Sequence, residues 1–186
     1  MESEKKENVS LKKYITLTAL VGSIVALDQW TKWLVRTNIP LNTSWLPDSL
    51  LWLSPYARIL HIFNKGAAFG MFQSGNPIFT VLALLVVLGI LYYYSQIEEG
   101  DKLLQVAAGL YLGGVLGNLI DRLTLGQVTD FISVGTFYIF NVADASINVG
   151  VVVLLFGIWM KEYQGKKQNS ESHSTDETLP TNGNQS

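Results

Sequence analysis

The 186-residue chain contains no cysteine and few charged side chains. Without cysteine, disulfides, thiolate metal sites and cysteine nucleophiles are excluded. Charged residues make up 15% of the chain, whereas about a quarter is usual for a soluble domain. The net charge of −2 gives no electrostatic footprint for nucleic acid. The two histidines, His61 and His173, stand alone and indicate neither a metal ligand nor a catalytic base.

Hydrophobic residues make up 48% of the chain and form four long runs, at about 14–35, 78–94, 103–120 and 143–160. Each run has roughly 17–22 residues, about what a helix needs to cross a hydrocarbon core of about 30 Å. The first run continues without a small-residue cleavage site, so we interpret it as a retained span. The composition predicts a membrane protein, mainly α, with four transmembrane helices.

The basic residues predict how these spans are oriented. With four spans, both termini and the 95–102 loop share one side, which carries eight of the 13 lysines and arginines. The positive-inside rule places that side, and both termini, in the cytoplasm. The eight are Lys5, Lys6, Lys12, Lys13, Lys102, Lys161, Lys166 and Lys167, and the other five are Lys32, Arg36, Arg58, Lys65 and Arg122.

The polar ends and the segments between the spans complete the predicted organisation. We expect a polar cytoplasmic arm over 1–13, a single membrane domain over 14–163 and a disordered cytoplasmic tail over 164–186. In the outer segment 37–76, residues 46–60 predict an amphipathic surface helix, and ARILHIFN (57–64) alternates in part like a strand. Residues 123–142 resemble a short hairpin around Gly135. A small β-like cradle and a surface helix are therefore expected on the extracytoplasmic side.

The polar residues that stand out in this apolar chain all fall on that same outer face. A charged or amide side chain among apolar residues is costly in a membrane, which makes it a candidate for function. Helical offsets place some of them on shared faces. The set comprises Asp28, Lys32, Asn64, Asn118, Asp121, Arg122, Asp130, Asn141 and Asp144.

Several of these features also have a purely structural interpretation. Asp28 and Lys32, four residues apart, are best interpreted as an ion pair near the interface. Asp121 with Arg122 would anchor a helix end, and the GxxxG steps of 109–117 indicate close helix packing. Asn141 and Asp144 would share a helix face only if the fourth helix begins that early, which the sequence leaves open.

Asp130 and Asp144 carry the chemical hypothesis. Two adjacent carboxylates share one proton, so the ionised one can activate water while the protonated one assists a carbonyl and its leaving amine. This is aspartyl peptide hydrolysis, and it needs no metal. Two alternatives remain open: a proton-coupled carrier, which would usually show internal repeats, and a Mg²⁺-dependent membrane transferase, which would need a compact carboxylate motif. The apolar neighbours Phe131 and Phe140 predict a raised carboxyl pKa.

Five blocks in order resemble the prolipoprotein signal peptidase family, also called signal peptidase II. They are DQWTK (28–32), NKGAAFG (64–70), GGVLGNLIDR (113–122), VTDF (128–131) and FNVADASI (140–147), and the resemblance covers roughly 15–160. It implies an aspartic endopeptidase of the bacterial plasma (inner) membrane with four spans and its active site near the extracytoplasmic face. Such an enzyme removes the signal peptide of a diacylglyceryl-modified prolipoprotein by cleaving before the lipidated cysteine.

Carried over by motif, the resemblance implies that Asp130 and Asp144 are the catalytic pair. Asp121 is the second candidate, because we expect an ion pair between it and its neighbour Arg122. The resemblance implies no cofactor or metal, the lipid-modified prolipoprotein and membrane lipid as partners, and a monomer. The segment between the two aspartates is shorter than in some members, and the tail from Gly165 has no counterpart. The implied binding and supporting residues are Asp28, Lys32, Asn64, Gly66, Gly114, Asn118, Asp121, Arg122, Asn141 and Ala143.

Overall fold

The computed structural model describes residues 2–66, 76–135 and 139–176, with side chains described over 11–66, 76–135 and 139–166. Four helices dominate: α1 (Glu2–Asn38), α2 (Asn76–Gln96), α3 (Lys102–Leu125) and α4 (Val142–Asp176). Three short strands lie between them: β1 (Ser44–Trp45), β2 (Ala57–Asn64) and β3 (Val128–Val134). The prediction of a mainly helical protein with a small sheet is confirmed.

Three helices in the described part of the chain are long and apolar enough to cross a membrane, at Asn76–Gln96, Lys102–Leu125 and Val142–Lys166. They contain the second, third and fourth predicted spans. The first predicted span, 14–35, lies within α1, whose apolar run is interrupted after Leu27 by the polar residues of DQWTK. Those polar residues face the protein interior: Asp28 and Lys32 are fully buried.

α3 lies at the centre of the bundle and packs against α1, α2 and α4. One stripe of α3 consists of glycines that let α1 approach closely, as the GxxxG spacing predicted. A Cβ built on Gly109 would lie 2.6 Å from Leu20, and one built on Gly113 would lie 2.9 Å from Ile24. A larger side chain at Gly113 would therefore push α1 away from α3, because the nearest atom is the Cβ of Ile24, whereas at Gly109 the nearest atom is the flexible end of Leu20.

The three strands form an antiparallel sheet in the order β1-β2-β3. β3 follows α3 after Gly126, which has the left-handed φ of 72° that suits glycine at a helix end. Phe140 bridges back to Ile132 beyond the turn at Gly135, as expected for the hairpin in 123–142. The sheet thereby places the middle of β3 beside the start of α4.

Several boundaries differ from the expected ones. α1 begins at Glu2 within the expected polar arm, and α4 continues to Asp176, beyond the expected boundary at 163. The extension of α1 consists largely of glutamate, lysine and leucine, which have good helix propensity. In α4, Glu162 pairs with Lys166 one turn later at 2.7 Å. In place of a surface helix over 46–60 there is a six-residue 3₁₀ helix, Asp48–Leu53, before β2. Residues 67–75, with most of GAAFG, and 177–186 lie outside the described residues.

Candidate active site

Asp130 lies in β3 and is held by two asparagine amides. Asn141 Nδ2 donates to its Oδ1 at 2.8 Å, and Asn64 Nδ2, from the end of β2, donates to its Oδ2 at 3.0 Å. Asn64 Oδ1 in turn accepts the backbone N–H of Gly66 at 2.9 Å. The orientation of the carboxylate is therefore set by residues on both sides of β3.

Asp144 lies in the first turn of α4 and forms a reciprocal cap with Asn141. The backbone N–H of Asp144 donates to Asn141 Oδ1 at 3.0 Å, and the backbone N–H of Asn141 donates to Asp144 Oδ2 at 3.2 Å. This is the arrangement of a capping box, in which two groups three residues apart satisfy each other's free donors. α4 thus begins directly after Asn141, which answers the question that the sequence left open.

Asn118 and Asn141 connect the two carboxylates. Asn118 Nδ2 donates to Asp144 Oδ1 at 2.7 Å, while Asn118 Oδ1 accepts Asn141 Nδ2 at 3.0 Å. The same Asn141 Nδ2 reaches Asp130. A chain of amides therefore runs from one aspartate to the other across β3, α3 and α4.

Both aspartates line one cavity of about 250 Å³. Apolar side chains form part of its wall, so the carboxylates face a space that is only partly polar. Its lining comprises Asn64, Gly66, Asn118, Arg122, Val128, Asp130, Ile139, Asp144, Ile147 and Asn148. The cavity is thus lined by two acids, an arginine and three asparagines.

Asp130 is 2% exposed, and this burial is the main reason why its pKa rises to about 7. The charge of Asp144 raises the pKa further. Hydrogen bonds from Asn64 and Asn141 and the charge of Lys32 act in the opposite direction, because they favour the ionised carboxylate. Near neutral pH this group therefore exchanges a proton readily, as a general acid or base requires.

A buried ionic cluster lies behind the cavity. Lys32 Nζ contacts Asp28 Oδ2 at 2.8 Å and Asp121 Oδ2 at 3.3 Å, and it donates to Asn118 Oδ1 at 3.0 Å. The expected ion pair of Asp28 and Lys32 is present. Because Lys32 and Asn141 both donate to Asn118 Oδ1, the amide of Asn118 is turned so that its Nδ2 faces Asp144.

Asp121 belongs to this cluster and pairs differently from our expectation. We expected Arg122 to be its partner, but its ion pairs are with Lys32 and with Arg36, whose Nη1 is 3.6 Å away. Adjacent residues of a helix point about 100° apart, so Asp121 faces α1 whereas Arg122 faces the cavity. Asp121 Oδ2 also accepts the backbone N–H of Thr129 at 2.9 Å, directly before Asp130.

The remaining predicted residues lie at the contact between α3 and α4. The buried Ala143 donates its N–H to Asp28 Oδ1 at 2.9 Å, which ties the start of α4 to α1. A Cβ on Gly114 would lie 2.4 Å from the carbonyl oxygen of Ala143. The structure therefore brings every predicted residue into the cavity or the layer behind it. His61 lies apart, with Nδ1 2.7 Å from the carbonyl oxygen of Ile39.

Four further residues belong to the cavity or to the cluster behind it without standing out in the sequence: Gln29, Arg36, Thr129 and Asn148. Gln29 Nε2 lies 3.1 Å from both Asp28 Oδ2 and Asp121 Oδ1 and 3.0 Å from the carbonyl oxygen of Gly117. Arg36 Nη1 donates to Thr129 Oγ1 at 3.0 Å. Gln29 and Thr129 lie inside the blocks DQWTK and VTDF, which is the one signal that could have identified them. Within the described ranges, no three histidine, aspartate or glutamate side chains are grouped as a metal site would require.

Comparison with known proteins agrees with the sequence blocks. The model of the family described as signal peptidase (SPase) II matches residues 20–160. A lipoprotein signal peptidase from Halalkalibacterium halodurans is 39% identical over 159 residues, which cover 83% of this chain and 97% of the relative. One from Mesorhizobium japonicum is 36% identical over 174 residues, or 89% of this chain and all of the relative.

Solved structures give the same result at the level of the fold. A bacterial membrane enzyme determined by the in meso method at 2.3 Å resolution superposes with a TM-score of 0.72 and 27% identity, covering 79% of this chain and 89% of that one. A second, at 1.9 Å resolution, has a TM-score of 0.68 and 28% identity, covering 77% and 92%. With the family matched over most of its length, the chain is a bacterial membrane protein that belongs to the signal peptidase II family.

Proposed function

We propose that this protein is an aspartic endopeptidase that removes the signal peptide from diacylglyceryl-modified prolipoproteins by cleaving before the lipidated cysteine. The observation that carries the proposal is the placement of Asp130 and Asp144 in one cavity, connected through Asn141. The naming of relatives from several bacteria as lipoprotein signal peptidases supports the substrate class.

In this mechanism one aspartate is ionised and the other is protonated. The ionised carboxylate takes a proton from water as the water oxygen bonds to the scissile carbonyl carbon. The protonated carboxyl donates a hydrogen bond to the carbonyl oxygen, which gains negative charge. When the C–N bond breaks, a carboxyl gives its proton to the leaving amine. The raised pKa of Asp130 suits it to hold a proton near neutral pH.

The amides and the arginine of the cavity orient the two acids and the peptide. Asn64, Asn118 and Asn141 hold the carboxylates by their Nδ2 groups. Arg122 lines the same cavity, and its guanidinium offers several donors to a substrate carbonyl. Asp121 acts as a positioning residue in this scheme, because it pairs with Lys32 and Arg36 and accepts the backbone N–H of Thr129, directly before Asp130.

The proposed topology has four spans, with both termini in the cytoplasm and the site near the extracytoplasmic face of the plasma membrane. Its support is the position of the polar cluster, which lies toward the ends of α1 and α3 and at the start of α4. At such an interface water is available to the carboxylates. The substrate's acyl chains can stay in hydrocarbon, where burial contributes about 0.8 kcal/mol per CH₂. We propose a monomer with 3₁₀ helix Asp48–Leu53 on the membrane surface.

The proposal is tested by cleavage of a lipid-modified prolipoprotein in detergent. Wild type should cleave it with and without EDTA, whereas Asp130→Asn and Asp144→Asn should each lose activity by at least about 100-fold. Asp121→Asn should keep measurable activity, and Asp48→Asn, in the exposed 3₁₀ helix, should match wild type. Thermal unfolding of each variant separates loss of chemistry from loss of fold.

Other outcomes would contradict specific parts of the proposal. An active Asp130→Asn beside an inactive, folded Asp121→Asn would mean that the pair has been assigned wrongly. Inhibition by EDTA would favour a metal-dependent reaction. A folded wild type that cleaves nothing would favour a proton-coupled carrier instead.

A further inference from the structure

α2 is attached to the bundle most firmly at its end near Gln96. Tyr94 is the one buried side chain of α2, all of which the structure describes. Its hydroxyl donates to the carbonyl oxygen of Lys13 at 3.0 Å, and Lys13 Nζ donates to the carbonyl oxygen of Ile97 at 2.6 Å. At the opposite end, Asn76 reaches the carbonyl oxygen of Arg122 at 3.5 Å. Between these ends, α2 packs on α3 and leaves a groove toward α4.

This groove is an apolar cavity of about 430 Å³. Several of its wall residues are glycine or alanine, which allow a close approach between helices in lipid. The wall includes Val86, Gly89 and Tyr93 on α2, Ala107 and Tyr111 on α3, and Gly150 on α4.

The groove is aligned with the site cavity along α3 and α4. Tyr111 of the groove lies two helical turns, about 10 Å, before Asn118 of the site. On α4, Asp144 and Ile147 line the site cavity and are three residues apart. Gly150 of the groove follows Ile147 after another three residues. The two cavities therefore follow one another along the same helical faces.

We propose that this groove binds the hydrophobic helical segment of the substrate's signal peptide, an inference that rests on the proposed function. The groove wall from Val86 on α2 to Ile97, directly after the end of α2, is about 17 Å long. The apolar region of a signal peptide has about 7–15 residues, or about 10–22 Å as a helix. The remaining distance of about 10 Å to the carboxylates equals about three residues of extended peptide. This leaves the scissile bond at Asp130 and Asp144.

Charge also favours this orientation of the signal peptide. The groove extends to Ile97 and Leu104, at the side of the protein that we propose to be cytoplasmic. A signal peptide carries its positively charged region at its amino-terminal end, and the positive-inside rule keeps such a region on the cytoplasmic side. Its carboxy-terminal end then points toward the site.

A kinetic experiment uses Gly89→Leu to fill the groove. A Cβ on Gly89 meets no atom within 4 Å, so a side chain can start there without a clash at its first atom. Its matched control is Gly22→Leu on α1, which also meets no atom within 4 Å and lies outside the groove. We expect KM for the lipidated prolipoprotein to rise about 10-fold or more in Gly89→Leu, with kcat little changed. Equal KM values in the two variants would overturn the proposal.

A cross-linking experiment identifies the occupant directly. A benzophenone amino acid replaces Val86 in the groove or, as control, Leu88, which lies outside the groove, both in an Asp130→Asn background that prevents turnover. A Val86 adduct on the hydrophobic part of the signal peptide supports the proposal. An adduct on the diacylglyceryl group, or equal yields at both positions, overturns it. If wild type cleaves nothing but the peptide adduct forms at Val86, the groove proposal stands and the proposed activity falls.

Discussion

Asn141 is the residue on which the geometry of the site depends most. Its side-chain oxygen caps α4, and its side-chain nitrogen reaches Asp130, Asn118 and the carbonyl oxygen of Thr129. Its backbone N–H donates to Asp144. One buried asparagine therefore fixes the start of a helix and the orientation of both acids. The motif FNVAD puts the residue in place, but its hydrogen bonds depend on β3 and α3, which lie elsewhere in the chain.

Asp130 should make stability depend on pH. Its pKa is 3.8 as an unperturbed aspartate and about 7 in the folded protein, so between these pH values the folded state binds more protons than the unfolded state. Stability therefore falls as pH rises from about 4 to about 7 and stays lower above, by about 4 kcal/mol at most. Asp130→Asn removes this contribution. Between pH 5 and pH 8, Tm of wild type should fall by about 5 °C or more beyond the fall in the variant.

The measurement is thermal unfolding in detergent across this pH range. The change of Tm with pH is compared rather than Tm itself, because an amide at 130 also alters the hydrogen bonds with Asn64 and Asn141. Asp48→Asn, at an exposed position, should keep the wild-type dependence. Identical curves for wild type and Asp130→Asn would show that the buried carboxyl is not protonated near neutral pH.

For single residues, the sequence predicted which acids and amides stand out, but not which other residues they contact. Asp130, Asp144 and the three asparagines stand out because polar groups in an apolar chain are rare. Gln29, in contrast, contacts Asp121 across 92 positions of sequence. Arg36 contacts Thr129 although 93 positions separate them in the sequence. Nothing in the local pattern shows that these residues meet, because the contacts depend on how α1 packs against α3 and β3.

Among the elements, α3 does most to hold the site together. It contributes Asn118, Asp121 and Arg122, and its glycines set its distance from α1 and α4. The glycine spacing predicted close packing. The neighbour of each glycine was decided by the fold: Gly109 and Gly113 face α1, while Gly114 faces α4.

Gly114→Ala should separate α3 from α4 at the start of the site. The new methyl group would lie 2.4 Å from the carbonyl oxygen of Ala143 and 2.7 Å from Ile147, and a backbone atom cannot turn aside as a flexible side chain can. We expect a loss of about 1–3 kcal/mol of stability, measured as a lower Tm, together with reduced cleavage. Gly22→Ala is the control, because its Cβ meets no atom within 4 Å and alanine favours a helix. A Tm for Gly114→Ala at or above that of Gly22→Ala would contradict the packing argument.

The contacts of Lys13 with the end of α2 are not visible in the sequence. In the sequence Lys13 is one of several lysines in a polar arm, yet in the structure it is buried and binds the carbonyl oxygens of Ile97 and Ser95 at the end of α2. Its ammonium also lies 5.0 Å from the ring centroid of Tyr94. A cation at a helix carboxy terminus is favourable, so this contact joins α1 to the end of α2.

For the whole molecule, the proposed four-span topology predicts which positions a reagent can reach from outside the cell. Because the chain has no cysteine, a single introduced cysteine can be labelled without background from native thiols. A cysteine replacing Asp48, between α1 and β2, should react with a membrane-impermeant maleimide in intact spheroplasts. One replacing Glu99, between α2 and α3, should react only after lysis. Both positions are exposed, so access to the reagent depends on the membrane side. Labelling of both positions before lysis would contradict the topology.

The sequence by itself determined the helical membrane character, the sheet residues 57–64 and the short list of acids and amides. These are local or compositional properties: apolar runs of span length, β-like alternation and rare polar groups in an apolar chain. Only the tertiary structure decided that Asp121 pairs with Lys32 and Arg36, that Asn141 caps α4 while holding Asp130, and that a groove lies between α2 and α4. These depend on distances between residues far apart in sequence, which are set when the glycine-lined helices pack.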